Sequence, residues 1–105
     1  MQMIRAIIRT EREDSVLQGL ESGGFVCYTR WEVIGRGKQK GLKKGDFHYL
    51  ELYKTCLMLV VEDDEVEMVR SIIQQHAKTG KVGDGKIFVT PVESALTIRT
   101  GRAEL

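Results

Sequence analysis

Two short stretches of this chain combine glycine with cationic side chains closely enough to do chemistry on an anion. The first is Gly35, Arg36, Gly37, Lys38, Gln39, Lys40 and Gly41; the second is Thr79, Gly80, Lys81, Val82, Gly83, Asp84, Gly85 and Lys86. Glycine accepts positive φ angles, so consecutive backbone N–H groups can converge on a phosphate without side-chain obstruction, while the lysines neutralise its charge. Either stretch alone also reads as an ordinary surface turn. Two of them in so short a chain favour anion binding.

Each stretch departs from the nucleotide motif it approaches. Gly80 and the pair Gly85–Lys86 have P-loop spacing, but Ile87 stands where Ser or Thr would hold magnesium, and a strand pattern follows instead of a helix. Gly35 and Gly37 lack a third glycine at dinucleotide spacing. The residues therefore point to nucleotide binding without nucleotide chemistry. His48 and His76 have no nucleophile beside them in sequence and are read as solvated or structural, so no enzyme activity is expected. The acids Glu62, Asp63, Asp64, Glu65 and Glu67 suit the start of a helix, whose dipole favours negative charge, better than a metal cluster. Cys27 and Cys56 stand apart, without zinc or redox spacing, and are read as small buried hydrophobes.

The elements that must position these loops come from periodicity. Residues 3–9 alternate Met3, Ala6, Ile7 and Ile8 with Arg5 and Arg9, a half-buried strand. Glu11, Glu13 and Asp14 open a helix with Val16, Leu17 and Leu20 on one face, stopped by Gly23 and Gly24. Phe25 to Ile34 reads as a second strand. From Gly35 to about Lys54 periodicity disappears, a connection long enough to be functional. Cys56 to Val61 suits a strand buried on both faces. A second helix bearing Val66, Val69, Ile72 and Ile73 ends near Thr79 and Gly80. Strand IFVTPV follows, then a short extended piece over Thr97–Thr100. Strand, helix, strand repeated twice predicts a single α+β domain over 1–105, a ferredoxin-like βαββαβ double unit with a long loop at about 36–53 and a phosphate-binding loop at about 79–86.

Composition narrows the class. With 105 residues, 42% hydrophobic and 30% charged, and Pro91 the single proline, the chain is expected to form one globular domain. A net charge of +1 argues against nucleic acid as partner, despite the acid-free run Arg36, Lys38, Lys40, Lys43 and Lys44. The opening MQMIRAIIRT does not read as a signal peptide and no apolar run reaches membrane-spanning length, so a cytoplasmic protein without membrane insertion is expected. An RNA-binding ferredoxin-like module is a distant alternative: GKIFVTP faintly echoes an aromatic RNA-binding strand, but on the fourth strand where the third is needed.

TGKVGDGKIFV, GRGKQKG and the terminal TIRTG resemble, in order and spacing, the PII nitrogen-regulatory signalling family, over Met3 to Gly101. The resemblance implies a compact homotrimer with nucleotide clefts between subunits that senses ATP or ADP together with 2-oxoglutarate. Gly83, Asp84, Gly85 and Lys86 match the family's phosphate-holding loop, and Gly35, Gly37, Lys38 and Gln39 the base of its long loop. Ile7, Thr29 and Val60 match the adenine side, Thr29 coming from the neighbouring subunit. Arg99 matches an arginine that reaches the phosphates across the interface. Gln39 would join Mg2+, the ATP phosphates and 2-oxoglutarate, and Lys54 would pair with a carboxylate of 2-oxoglutarate.

The chain also departs from the family's common pattern. Its long loop is shorter, and Phe47 stands where many members carry a tyrosine that is uridylylated, with Tyr49 nearby but out of place. Tyr53, Met58 and Thr97 replace a proline, a glutamate and an arginine. With VEDDEV and PVESALTIRTG, these features resemble the nitrogen-fixation branch, which implies a second PII-like paralogue and nitrogenase as partners. The alternative is a general PII protein acting on an ammonium transporter or on glutamine synthetase.

Overall fold

The computed structural model describes residues 1–37, 42–44, 47–49 and 51–105. The chain runs β1 (Gln2–Arg9), α1 (Glu13–Ser22), β2 (Thr29–Gly35), β3 (Leu42–Lys44), β4 (Phe47–Tyr49), β5 (Leu52–Val61), α2 (Val66–Ala77) and β6 (Gly85–Pro91). Short 3-10 turns at Thr10–Arg12 and Asp63–Glu65 lead into the two helices. Four strands make one sheet in the order β2-β5-β1-β6, and β3 pairs with β4 in a separate hairpin. Every pairing in the larger sheet is antiparallel. With α1 and α2 packed on one face, this is the ferredoxin-like double unit expected from the sequence.

The alternation of β1 sets the layers. Ile4, Ala6 and Ile8 point to the helix side, opposite Leu59, Leu57 and Thr55 of β5, and all six are buried. Val16 and Leu20 of α1 and Val69, Ile73 and Ala77 of α2 close over them. Full burial of one such aliphatic side chain contributes roughly 1.5–3 kcal/mol, so this layer dominates the stability of the fold. Arg12 Nε donates to the His76 carbonyl at 2.9 Å, tying the start of α1 to the end of α2. His76 is structural, as expected: its Nδ1 lies 3.2 Å from Ser15 Oγ, and its ring fills the notch left by Gly19.

The acids that open the second half act at the helix start. Glu65 returns its carboxylate to the Glu62 backbone N–H at 3.0 Å, a capping contact that satisfies an orphan donor. Among the described residues no group of three or more His, Cys, Asp or Glu could hold a metal ion. No helix there is long and apolar enough to cross a membrane.

Several boundaries differ from the sequence reading. The second strand begins at Thr29, not Phe25, because Gly24 at φ 91° lets Phe25 N–H bond back to the Leu20 carbonyl at 2.8 Å, turning Phe25 onto the core before the ladder starts. The stretch without periodicity contains the β3–β4 hairpin and ends at Leu52. The expected extended piece at Thr97–Thr100 is a turn: Gly101, at φ 70°, donates to the Thr97 carbonyl, and Thr97 N–H bonds the Arg102 carbonyl. β5 is not buried evenly on both faces, since Met58 and Val60 are only half-buried on the side without helices. Cys56 is buried as expected, but Cys27 is exposed, lying in the irregular segment before β2.

Candidate functional site

Antiparallel pairing brings four strand ends to one end of the sheet. Arg9 ends β1, Lys54 lies near the start of β5, Gly35 ends β2 and Gly85 starts β6. Both glycine-rich stretches spring from this end, although 37 residues separate them in sequence. On the face away from the helices, Arg9 pairs with Lys54, and Ile7 pairs with Cys56 on one side and Lys86 on the other. A cleft of about 410 Å³ opens here, lined by Ile7, Gly35, Arg36, Gly37, Lys54, Val82, Gly83, Gly85, Lys86 and Phe88.

The loop between α2 and β6 is held by one carboxylate. Asp84 accepts from Thr79 N–H and Gly80 N–H, each at 2.9 Å, from the Thr79 hydroxyl, and from Arg9 Nε at 2.9 Å. These bonds, led by the one from the Thr79 hydroxyl and then that from Arg9, hold the Asp84 carboxyl well below the usual carboxylate range. Gly83 and Gly85 have φ of 105° and 110°, values that L side chains rarely adopt. A Cβ on Gly85 would also lie 1.7 Å from the Ile7 carbonyl oxygen, so close approach of the loop to β1 demands glycine there.

Cations hold the carbonyls of the loop. Arg9 donates to the Val82 carbonyl at 3.0 Å, and Lys54 Nζ donates to the Gly83 carbonyl at 2.5 Å. Lys54 is only 9% exposed. Burial, and then the neighbouring Arg9 guanidinium, push its ammonium pKa below the ordinary value. Cationic groups around an apolar wall of Ile7, Val82 and Phe88 suit a ligand with an anionic end and a flat apolar end.

Of the residues singled out from sequence, Ile7, Gly35, Gly37, Lys54, Gly83, Gly85 and Lys86 come together in this cleft. Asp84 sits behind it and lines a second cavity of about 640 Å³ between α2 and β6. Lys38 and Gln39 lie outside the described residues. Thr29 pairs with Met58 and Val60 with Met3, further along the open face from Ile7, and neither lines the cleft. Arg99 is exposed in the C-terminal turn, also away from that cleft. Arg9 was not picked out from sequence, although its position two residues after Ile7 on the same strand face would have pointed to it.

The chain is thus a small antiparallel α+β domain that brings Gly35 and Gly37 beside the Gly83–Lys86 loop and Lys54 at one end of its sheet. The sequence profile of the nitrogen regulatory protein P-II family matches residues 1–102, and the chain belongs to that family. It is 54% identical to the nitrogen fixation nifHD1 region GlnB-like protein 1 of Methanosarcina barkeri over 105 residues, all of both chains. It is 53% identical to the nitrogen fixation nifHD region glnB-like protein 1 of Methanococcus maripaludis over 100 residues, 95% of each. The nitrogen regulatory protein P-II of Microchaete diplosiphon matches at 44% over 105 residues, 96% of this chain and 94% of the relative. The higher identity to the nif-region proteins puts the chain in the nitrogen-fixation-associated branch of P-II-like regulators.

Proposed function

We propose that this regulator binds ATP or ADP in the cleft between its two glycine-rich loops and, with ATP and Mg2+ present, 2-oxoglutarate beside it. The observation that carries the reading is the convergence of Gly35, Gly37, Gly83, Gly85, Lys86 and Lys54 on one cleft from distant parts of the chain. Its volume of about 410 Å³ lies within the range usual for small-ligand pockets, roughly 300–1,000 Å³. The phosphates would lie against the Gly83–Lys86 loop and the base against Ile7. The described lining contains no carboxylate, so Mg2+ would take its oxygens from the ATP phosphates, 2-oxoglutarate and Gln39.

Assembly into a homotrimer completes the proposal. The sheet face without helices carries Met3, Ile7, Trp31, Met58, Val60 and Phe88, and Trp31 and Phe88 remain 41% and 49% exposed in the single subunit. Covering that face with other subunits removes apolar surface from water, and Thr29, Val60 and Arg99 would reach the nucleotide in the assembly. The target is nitrogenase, controlled by protein contact together with a second PII-like paralogue, with ATP and 2-oxoglutarate relieving inhibition.

Calorimetric titration of 2-oxoglutarate into the protein with Mg-ATP, with ADP and without nucleotide tests the ligand reading, with Gln39→Ala as control. Heat only with Mg-ATP, lost in the control, supports it; ATP binding without any response to 2-oxoglutarate overturns the roles given to Gln39 and Lys54. Nitrogenase turnover assayed with the protein and its paralogue tests the target. Full turnover at saturating regulator would instead favour an ammonium transporter or glutamine synthetase.

A further inference from the structure

We propose that Arg9 is a positioning residue that turns the Gly83 amide toward the anion, an inference that rests on the nucleotide reading above. The guanidinium makes two bonds to the back of the loop, to the Val82 carbonyl at 3.0 Å and to the Asp84 carboxylate at 2.9 Å. A trans peptide holds its C=O and N–H on opposite sides. Drawing the Val82 carbonyl toward Arg9, which does not line the cleft, therefore points the Gly83 N–H away from Arg9, while the Gly83 carbonyl faces Lys54 on the cleft side. Among the described residues the Gly83 N–H donates to no backbone carbonyl, which leaves it for a ligand oxygen.

The arrangement needs a fork. The Asp84 carboxylate already accepts from Thr79 N–H and Gly80 N–H, so Arg9 fixes the orientation of a group that itself sets the loop's entry. Arg9 keeps 19% of its side chain exposed and is not among the residues lining the cleft. It acts on the ligand through the backbone it holds. A lysine at this position would keep the charge but not the planar pair of donors.

The test compares ATP affinity by calorimetry, at several ionic strengths, in the full-length protein and in its Arg9→Lys and Arg9→Gln variants. Loss of the charge-assisted bonds that hold the loop and orient its Gly83 N–H is expected to raise the ATP Kd by roughly tenfold. Lysine should bind no better than glutamine, and the salt dependence of the lysine variant should stay unchanged. An Arg9→Lys variant that binds as tightly as the unsubstituted protein overturns the inference, since charge alone would then suffice. So does a salt dependence lost only in Arg9→Gln, which would mean direct contact with phosphate. If the Arg9 variants do not fold, Thr79→Val removes a bond to Asp84 without touching charge; a several-fold weaker Kd supports the inference and an unchanged Kd overturns it. Failure of the unsubstituted protein to bind ATP overturns the nucleotide reading itself, and the role given to Arg9 with it.

Discussion

The two faces of the central sheet use the same strands to different ends. On the helix side, Ile4, Ala6, Ile8, Leu57, Leu59 and Val61 are buried under α1 and α2. On the other side β1 alternates apolar and cationic residues, Met3, Arg5, Ile7 and Arg9, while β5 presents Lys54 and then Cys56, Met58 and Val60. A strand gives each face every second residue, so the division is written into a period of two. The first face closes the fold of the chain. The second is left partly exposed, and at one end it becomes the cleft in which the glycine-rich loops meet.

Neighbouring residues of β5 provide the sharpest way to break this contrast. Leu57→Ala empties a fully buried position under the helices and should cost about 3 kcal/mol in denaturant unfolding, whereas Met58→Ala, one residue along and half-buried, should cost about 1 kcal/mol or less in the isolated subunit. Equal losses would mean that the open face is as much a core as the covered one. Next in size is Gly85→Ala, where a Cβ meets the Ile7 carbonyl and φ is 110°. A loss of about 2–3 kcal/mol in Tm-based stability is expected, and near-neutrality would show that the loop can move off β1.

Acid unfolding probes the loop end of the open face. The Asp84 carboxyl ionises more readily when folded than when unfolded, so the stability it contributes is present above its unfolded pKa of about 4 and is lost as pH falls below it toward the depressed folded value. Asp84→Asn should therefore lower stability at neutral pH and flatten the decline below about pH 4, followed by circular dichroism. An unchanged acid limb would remove Asp84 as the anchor of the loop. The mildest perturbation is thiol labelling under native conditions. Cys27, exposed before β2, should react quickly, while Cys56, 5% exposed and with its thiol pKa raised by burial, should react much more slowly. Fast labelling of both would mean that the open face breathes around Trp31 and Ile7.

Much of the fold was legible because its signals are local. The alternation of β1, the helix start at Glu11–Asp14 and the stop at Gly23–Gly24 each lie within a few residues, and the structure places them within a residue or two of the reading. Where the reading failed, a positive-φ glycine reversed the chain or a residue fell outside the sheet. Phe25 has the residue type of a strand, yet the reversal at Gly24 sends it to the core. Thr97–Thr100 reads as extended until Gly101 folds it back. Cys27 looks like any small hydrophobe, and only its place outside the sheet exposes it.

The site divides in the same way. Residue type and spacing identified Gly83, Gly85 and Lys86 as an anion loop, because backbone freedom and charge are properties of the residues themselves. The motif's resemblance to the family added Lys54 and Ile7, which periodicity alone would have left as strand residues. What the sequence by itself determined was the order of elements, the two faces of each strand and the two loops able to hold an anion. The tertiary structure alone decided that those loops share one end of the sheet, and that Arg9 and Lys54 hold the Val82 and Gly83 carbonyls. The physical reason is that antiparallel pairing, which joins residues more than forty positions apart, depends on register and burial across the whole sheet and on no local property of either partner.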